Sequence, residues 1–343
     1  MSRLFLQKWG IPEERMNNLI QRKCELLVEN RQLAGKTSLL EGGLIKMVAA
    51  ASFTEKDKTI DVDELKSCIK LLRSKQGIFS DLRGNNELII GSKMALSGNP
   101  EEYLEDLLGV YKKFQQGKIF GSEFRVLAAA SICDTGKASQ ADAVIEKTNE
   151  LLKGMKKDHP FLTSDEDTSL AVLLAFKEKS VEDILTELEE TFQYIKKNFA
   201  FHENASYSLS QVLTTYDGTA EQKGQKVLDL FNAFKEAGAK YGKNYELASL
   251  GILINVNKNI GEIVSEVIEI AEFLKNKKGF GTLEMDKPTR LMLGSMLVSE
   301  VYGASDNAVS ASVSSGALAA VIAQELCLLA AVMAATTVTS SSH

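Results

Sequence analysis

The chain has 343 residues, with 40 Lys and Arg against 46 Asp and Glu for a net charge of −6, and 44% of it is apolar. This balance excludes an intrinsically disordered chain, and the acidic excess argues against nucleic acid as a partner, because a general nucleic-acid binder needs a basic face. Four prolines favour an all-α chain, and four cysteines without CxxC spacing (Cys24, Cys68, Cys133, Cys327) read as buried thiols in a reducing compartment, neither a disulfide framework nor a metal site.

The first residues, MSRLFLQKWGIPEER, lack the long apolar run of a secretory signal, so a cytoplasmic protein is expected. A polar first helix is predicted over 12–33, as a capping element spanning 1–37. The AGKTS segment that follows is read as a turn joining the first two helices. A phosphate loop would need a glycine where Asn30 stands and a strand before it, whereas a helical stretch precedes it.

From there an aromatic ring recurs at Phe79, Phe120, Phe161, Phe201, Tyr241 and Phe280, in steps of 41, 41, 40, 40 and 39 residues. Such spacing marks a helical repeat in which each unit buries its apolar face against its neighbours. Ten residues before each ring stand Ile69, Val110, Leu151, Thr191, Phe231 and Ile270, part of one helical stripe. Capping pairs open several of these long helices: Asn99 before Pro100, Ser180 with Asp183, Thr219 with Gln222, and Asn259 with Glu262. Lysine pairs close them.

Eleven and twelve residues after each ring come apolar pairs such as Ile90-Gly91, Val172-Leu173 and Ile252-Leu253, which predict a second, shorter helix. LGILINV looks strand-like alone, but it shares this register, so a helix is expected there too. The fold class is therefore all-α: a helical-hairpin repeat array, or α/α superhelix, with a repeat of about 40 residues. It is expected over 38–302 as six hairpins and a lone short helix near 286–302. The rings are expected to wedge between hairpins as core.

Beyond 303 the composition shifts to Ser and Ala, then to the apolar run ALAAVIAQELCLLAAVMAATTV. Gln324 and Glu325 interrupt it where a membrane span would be most apolar, so membrane contact is disfavoured. A helix docking on the array, or on a second copy in a homo-oligomer, is preferred over a helix for another protein.

Asp57, Thr59, Asp61, Asp63 and Glu64 hint at a calcium loop, but the central Gly and closing Glu are missing, and Asp61 reads better as a helix cap. His159 and His202 lie at unmatched places beside their rings, so no metal site or cofactor is expected. The acidic residues that start the short helices (Asp81, Glu123, Asp165 and Glu203 among them) could form a strip for a basic partner. Interleaved lysines would largely cancel it. Residues that break the repeat are the candidate binding groups: Arg83, Asn85 and Asn86 in one loop, then His159, Asp165 and His202. Arg83 could grip an anion through its fork, or hold its turn while Asn caps the helix near Glu87.

FSDLRGNN, HPFLTSDED, KKGFGTLEMDKPTRLMLGSMLVSE and the tail with VIAQ resemble a bacterial family catalogued as domain of unknown function 4003. That resemblance covers nearly the whole chain and implies a soluble protein, mainly of Gram-positive bacteria, with no assigned activity or site. With no nucleophile–base pair or metal cluster legible, the expectation is a non-catalytic interaction or scaffold protein with a protein or peptide partner. The alternatives are an enzyme with its site assembled from the short-helix starts, and a membrane-associated scaffold using the tail.

Overall fold

A computed structural model of the protein describes residue 8 and residues 16–37, 42–77 and 80–303. Phe79, the MSRLFLQKWGIPEER segment save Lys8, Ser38 of the AGKTS segment and the linker and apolar run over 304–343 lie outside the described residues. Among those described, the chain is all-helical, and the one extended contact is an isolated bridge between Val256 and Gly303.

Helix α1 (Asn18–Thr37) runs four residues past its expected end, so Ala34 to Thr37 form its last turn instead of a connector. That places the glycine and lysine of AGKT at a helix C-terminus, where the dipole repels a phosphate. Shorter and longer helices then alternate: α2 (Gly43–Glu55) and α3 (Val62–Lys75), α4 (Asn85–Ser97) and α5 (Pro100–Phe114), α6 (Glu123–Asp134) and α7 (Ala141–Asp158). After them come α8 (Thr168–Ala175) and α9 (Val181–Lys196), α10 (Glu203–Thr214) and α11 (Ala220–Glu236), α12 (Glu246–Leu250) and α13 (Ile260–Lys275), and finally α14 (Lys287–Tyr302).

The longer helices bury one stripe. In α3 that stripe is Leu65, Cys68, Ile69 and Leu72, at steps of three, one and three. The shorter helices are buried nearly all round: every residue of α8, and Val126 through Ile132 of α6. A helix of that composition has no solvent face to offer and must sit between other elements. The caps form as expected. Asn99, Ser180 and Asn259 accept from the backbone N–H three residues on, Thr219 and Gln222 make a reciprocal box, and Asp61 accepts from Asp63 and Glu64. LGILINV is helical but tightened, with α12 giving way to a 3₁₀ turn over Gly251–Asn255. The last helix is not short: α14 has 16 residues.

The described residues divide into two compact units. The first takes the residues up to Glu25, Lys153–Leu162 and those from Phe176 onward. Within it the long helices α9, α11 and α13 pack in series, as do the short helices α10 and α12 with the final α14. Gly294 lets α14 approach α13 closely, since a Cβ there would stand 2.8 Å from the Val267 carbonyl oxygen. The start of α1 belongs to this unit: Lys23 pairs with Glu300, and the Asn17 amide donates to the Tyr302 hydroxyl at 3.0 Å.

The second unit takes Leu26–Leu152 and Thr163–Ala175. There the short helices α2, α4, α6 and α8 pack in series. Asn30 on α1 ties down the turn between α2 and α3. Its amide donates to the Lys58 carbonyl at 2.9 Å and to Thr54 Oγ1 at 3.2 Å, and its oxygen accepts from the Ile60 N–H at 2.9 Å.

The recurring rings correct the expectation of a uniform wedge. Tyr241 and Phe280 are buried, but Phe120, Phe161 and Phe201 are 80%, 97% and 100% exposed. Loop length supplies the reason. The exposed rings sit on connections spanning 115–122, 159–164 and 197–202, and the buried ones on the longer 237–245 and 276–286. The nine- and eleven-residue connections have chain to fold back over their rings and the six-residue ones of Phe161 and Phe201 do not; Phe120, on an eight-residue connection, is exposed without this explanation. Tyr241 is further held by Ser249 at 2.8 Å and Ser295 at 3.0 Å. Nearby apolar positions fill the core in place of the exposed rings: Phe199, two residues before Phe201, is buried edge-on against Phe231 at 5.0 Å between centroids.

Candidate functional site

Each connection from a long helix to the next short one gathers a tip residue, lysines from the helix end and carboxylates from the helix start. In the second unit these loops are knitted by pairs one repeat apart. Arg125 Nη2 and Nε reach Asp165 Oδ1 at 2.7 and 3.0 Å across 40 residues, while Arg125 Nη1 donates to the Phe120 carbonyl at 2.9 Å. The Tyr111 hydroxyl donates to Asp81 at 2.5 Å. Asn86 donates to the Asp81 and Glu123 carbonyls at 3.0 and 3.1 Å.

Neither Asn85 nor Asn86 caps α4. Gly84, at φ 64°, holds the cap position, because the chain there needs the left-handed region, which an L side chain disfavours. Arg83 lies 2.5 Å from the buried Glu87, which Arg73 also grips, and its fork reaches back to the Gln76 carbonyl at 3.4 Å. Burial works to raise the Glu87 carboxyl, but hydrogen bonds and charge from Arg73 and Arg83 hold it below the usual carboxylate range. The guanidinium of Arg83 is thereby engaged in holding its own turn. Glu123 goes the other way: burial pushes its carboxyl up, and Asp81 adds to the shift against a hydrogen bond from Asn85.

In the first unit His159 Nε2 stands 2.6 Å from Glu189 Oε2. The ring meets Phe192 and Tyr207 edge-on, at 5.0 and 5.1 Å between centroids, and those two rings meet each other at 5.1 Å. Burial would raise the Glu189 carboxyl, but hydrogen bonds from His159 and Gln193 and the nearby charges hold it low. A histidine–carboxylate pair is one half of a general-base system. Here two aromatic edges hem the imidazole, which suits a packed hinge between α7, α9 and α10 better than a proton shuttle. His202 precedes α10 at its cap position and makes no capping hydrogen bond with its side chain.

The candidate residues are thus divided: Arg83, Asn85, Asn86 and Asp165 belong to the second unit, His159 and His202 to the first, and the first five have local partners. Sequence reasoning missed Arg125, Glu189, Phe192 and Tyr207. Arg125 carried a usable signal, since it and Asp165 are opposite charges one repeat apart. Several carboxylates of the acidic strip are also occupied: Asp167 completes a capping box with Ser164, Asp286 caps α14, and Glu284 accepts from the Gly279 and Gly281 N–H groups. Among the described residues no three His, Cys, Asp or Glu are grouped to hold a metal ion, and no helix is long and apolar enough to cross a membrane. Burial pushes the thiols up, Cys24 and Cys133 to about 12 and Cys68 to about 11, so none is a nucleophile near neutral pH.

Large apolar side chains also stand clear of the fold. Phe120 with Ile119, then Phe161, Phe201 and Leu283, stand at loop tips where large hydrophobic side chains have no packing role.

An all-helical protein, with most of its polar candidates engaged and bare aromatic tips on its loops, is the class that fold and site define. The particular family is the one described as protein of unknown function (DUF4003): its pattern matches residues 31–326, and the chain belongs to it. No curated protein and no solved structure matches the chain.

Proposed function

We propose that this is a non-catalytic interaction or scaffold protein whose hairpins form a helical repeat array, an α/α superhelix, and whose working surface is the loop edge carrying the exposed rings. Among the described residues six short helices alternate with six long ones over α2–α13, the short ones packed in series within each unit and the long ones in the first, and this supports the repeat. The observation that carries the function is the exposure of Phe161 and Phe201, at 97% and 100%. A large apolar ring held clear of its own fold marks a place where something else covers it. A protein or peptide partner, a second copy included, falls within this reading. It sets the protein in a bacterial cytoplasm, which the free, buried Cys24 and Cys68 support.

The test is photo-cross-linking in cells from single positions 161 and 201, with position 182 as the comparison. Glu182 is exposed too, but in the first turn of α9, at the other end of the hairpins. Discrete adducts from 161 and 201 that are absent from 182 are expected. The same background from all three positions would overturn the reading.

A further inference from the structure

We infer that Glu246 is a proton-operated clasp: uncharged, it lets the loop over 237–245 close against the loop over 276–286, and charged, it loosens the two. The device is independent of the interaction reading. It lies inside the first unit, where Glu246 opens α12.

The first observation is placement. Glu246 is only 7% exposed, and its Oε2 is buried without a hydrogen-bond partner. A Cβ at Gly242 would stand 2.3 Å from that oxygen, so the carboxyl lies against backbone in a space that a glycine leaves open. Such a place suits a neutral acid far better than a carboxylate, whose charge needs water or a cation.

The second is what surrounds the group. Asp286, from the neighbouring loop, is the charge that reaches it, and it has the same sign. Asp286 is fixed there, because its Oδ1 accepts from the Thr289 N–H at 2.9 Å as the cap of α14. The cations at the start of α14 are engaged elsewhere, Lys287 with the Gly238 carbonyl at 3.5 Å and Arg290 with the Phe280 and Met285 carbonyls. On its own loop, Lys240 is exposed and Lys243 stands over the Phe231 ring. From the helices packed on α12, α10 brings Glu203 and the end of α11 brings Lys235 and Glu236, and none of these bears on Glu246. Burial and Asp286 therefore both push the Glu246 carboxyl up, against hydrogen bonds from the Glu246 and Asn244 N–H groups.

The third is what meets at this point. Tyr241, beside Glu246, ties the first loop to Ser295 of α14 at 3.0 Å, and Lys287 ties it to the end of the second loop. Charging Glu246 sets two carboxylates against each other at that seam. A raised carboxyl contributes stability that is complete below its unfolded value, about 4.3, and lost as pH rises through the higher folded value. The seam is thus tightest in acid and loosens toward neutral pH, the opposite direction to the depressed Glu187 of the same unit.

The experiment is amide hydrogen exchange of the full chain at about pH 4.5 and about pH 7.5, corrected for the intrinsic rates. It compares the wild type with Glu246→Gln, which keeps the shape without the charge, and with Asp286→Asn, which keeps a capping oxygen for α14. The difference between wild type and variant is read, so that pH effects common to both cancel. Over 241–249 the wild type should lose roughly threefold or more in protection at the higher pH relative to Glu246→Gln, with Asp286→Asn in between. The inference is overturned if Glu246→Gln loses as much as the wild type, or if the wild type gains protection there relative to that variant. If Glu246→Gln melts early, Asp286→Asn decides: a smaller loss than in the wild type upholds the clasp, and an equal loss overturns it.

Discussion

Replacing Phe201 by Asn should stabilise the protein, although it deletes an aromatic ring. Phe201 has φ 68° and is 100% exposed, so its ring contributes no burial while its Cβ crowds the backbone. The left-handed conformation costs an L residue about 1–2 kcal/mol, and Asn is among the few side chains that occupy it readily. With no burial to lose, the substitution should gain roughly 1 kcal/mol, a rise of about 1–2 °C in melting midpoint for a chain of this length. Phe199→Ala, two positions earlier, supplies the contrast. That ring is buried against Phe231, and its removal should cost about 3–5 kcal/mol. Helical circular dichroism followed through urea unfolding measures both. If Phe201→Asn lowered stability by more than about 0.5 kcal/mol, a surface change beyond the usual scatter, the ring would be packed and the reasoning refuted.

Three further substitutions probe the scaffold. Asn30→Ala strips partners from the buried Ile60 N–H and should cost about 2–4 kcal/mol, with faster hydrogen exchange at Ile60; unchanged exchange would deny Asn30 its role in the turn. Gly294→Ala drives a Cβ against the Val267 carbonyl oxygen, which cannot rotate away, and should lower stability by about 1–3 kcal/mol in the same urea assay. Glu187 is approached by Lys177, Lys179 and Lys223; burial alone would raise its carboxyl, but their hydrogen bonds and charges hold it low. A depressed carboxyl contributes stability that is present above its unfolded value, about 4.3, and lost as pH falls through the lower folded value. Glu187→Gln should therefore cost about 2 kcal/mol at neutral pH and flatten the acid limb of the stability profile below about pH 5, and an unaltered limb would show the contrary.

The hairpin order was legible because helix patterning is local. Ile69, Val110 and Leu151 announce a stripe, Asn99-Pro100 and Thr219 with Gln222 announce starts, and the apolar pairs after each ring announce a second, shorter helix. Each signal is set by residues within one or two turns. The pairs that organise the loop edge were less legible, because Arg125–Asp165 and His159–Glu189 join different hairpins. Only the first of them keeps the repeat spacing. The end of α1 and the cap of α4 were misplaced for a simpler reason: Gly35 reads as a break but is tolerated within a helix, and Gly84 takes the cap position expected of an asparagine.

The ring position itself shows why periodicity speaks to topology before it speaks to burial. A recurring aromatic marks the same point in each hairpin, the handover from a long helix to a short one, whatever the ring does there. What it does depends on the chain left over. Where the connection is long, as at Tyr241 and Phe280, the ring is core, and at Tyr241 the Ser249 and Ser295 hydroxyls hold it. Where the connection shortens, Phe199 or a neighbouring residue fills the interior, and Phe161 or Phe201 is pushed to the tip. The fold then gains nothing from the aromatic, and at Phe201 it bears a left-handed φ as well. On the proposed reading, a residue that its own fold would replace with Asn is explained by what it meets outside the fold. That is why the loop edge, and not the occupied polar groups of Arg83 or His159, carries the functional reading.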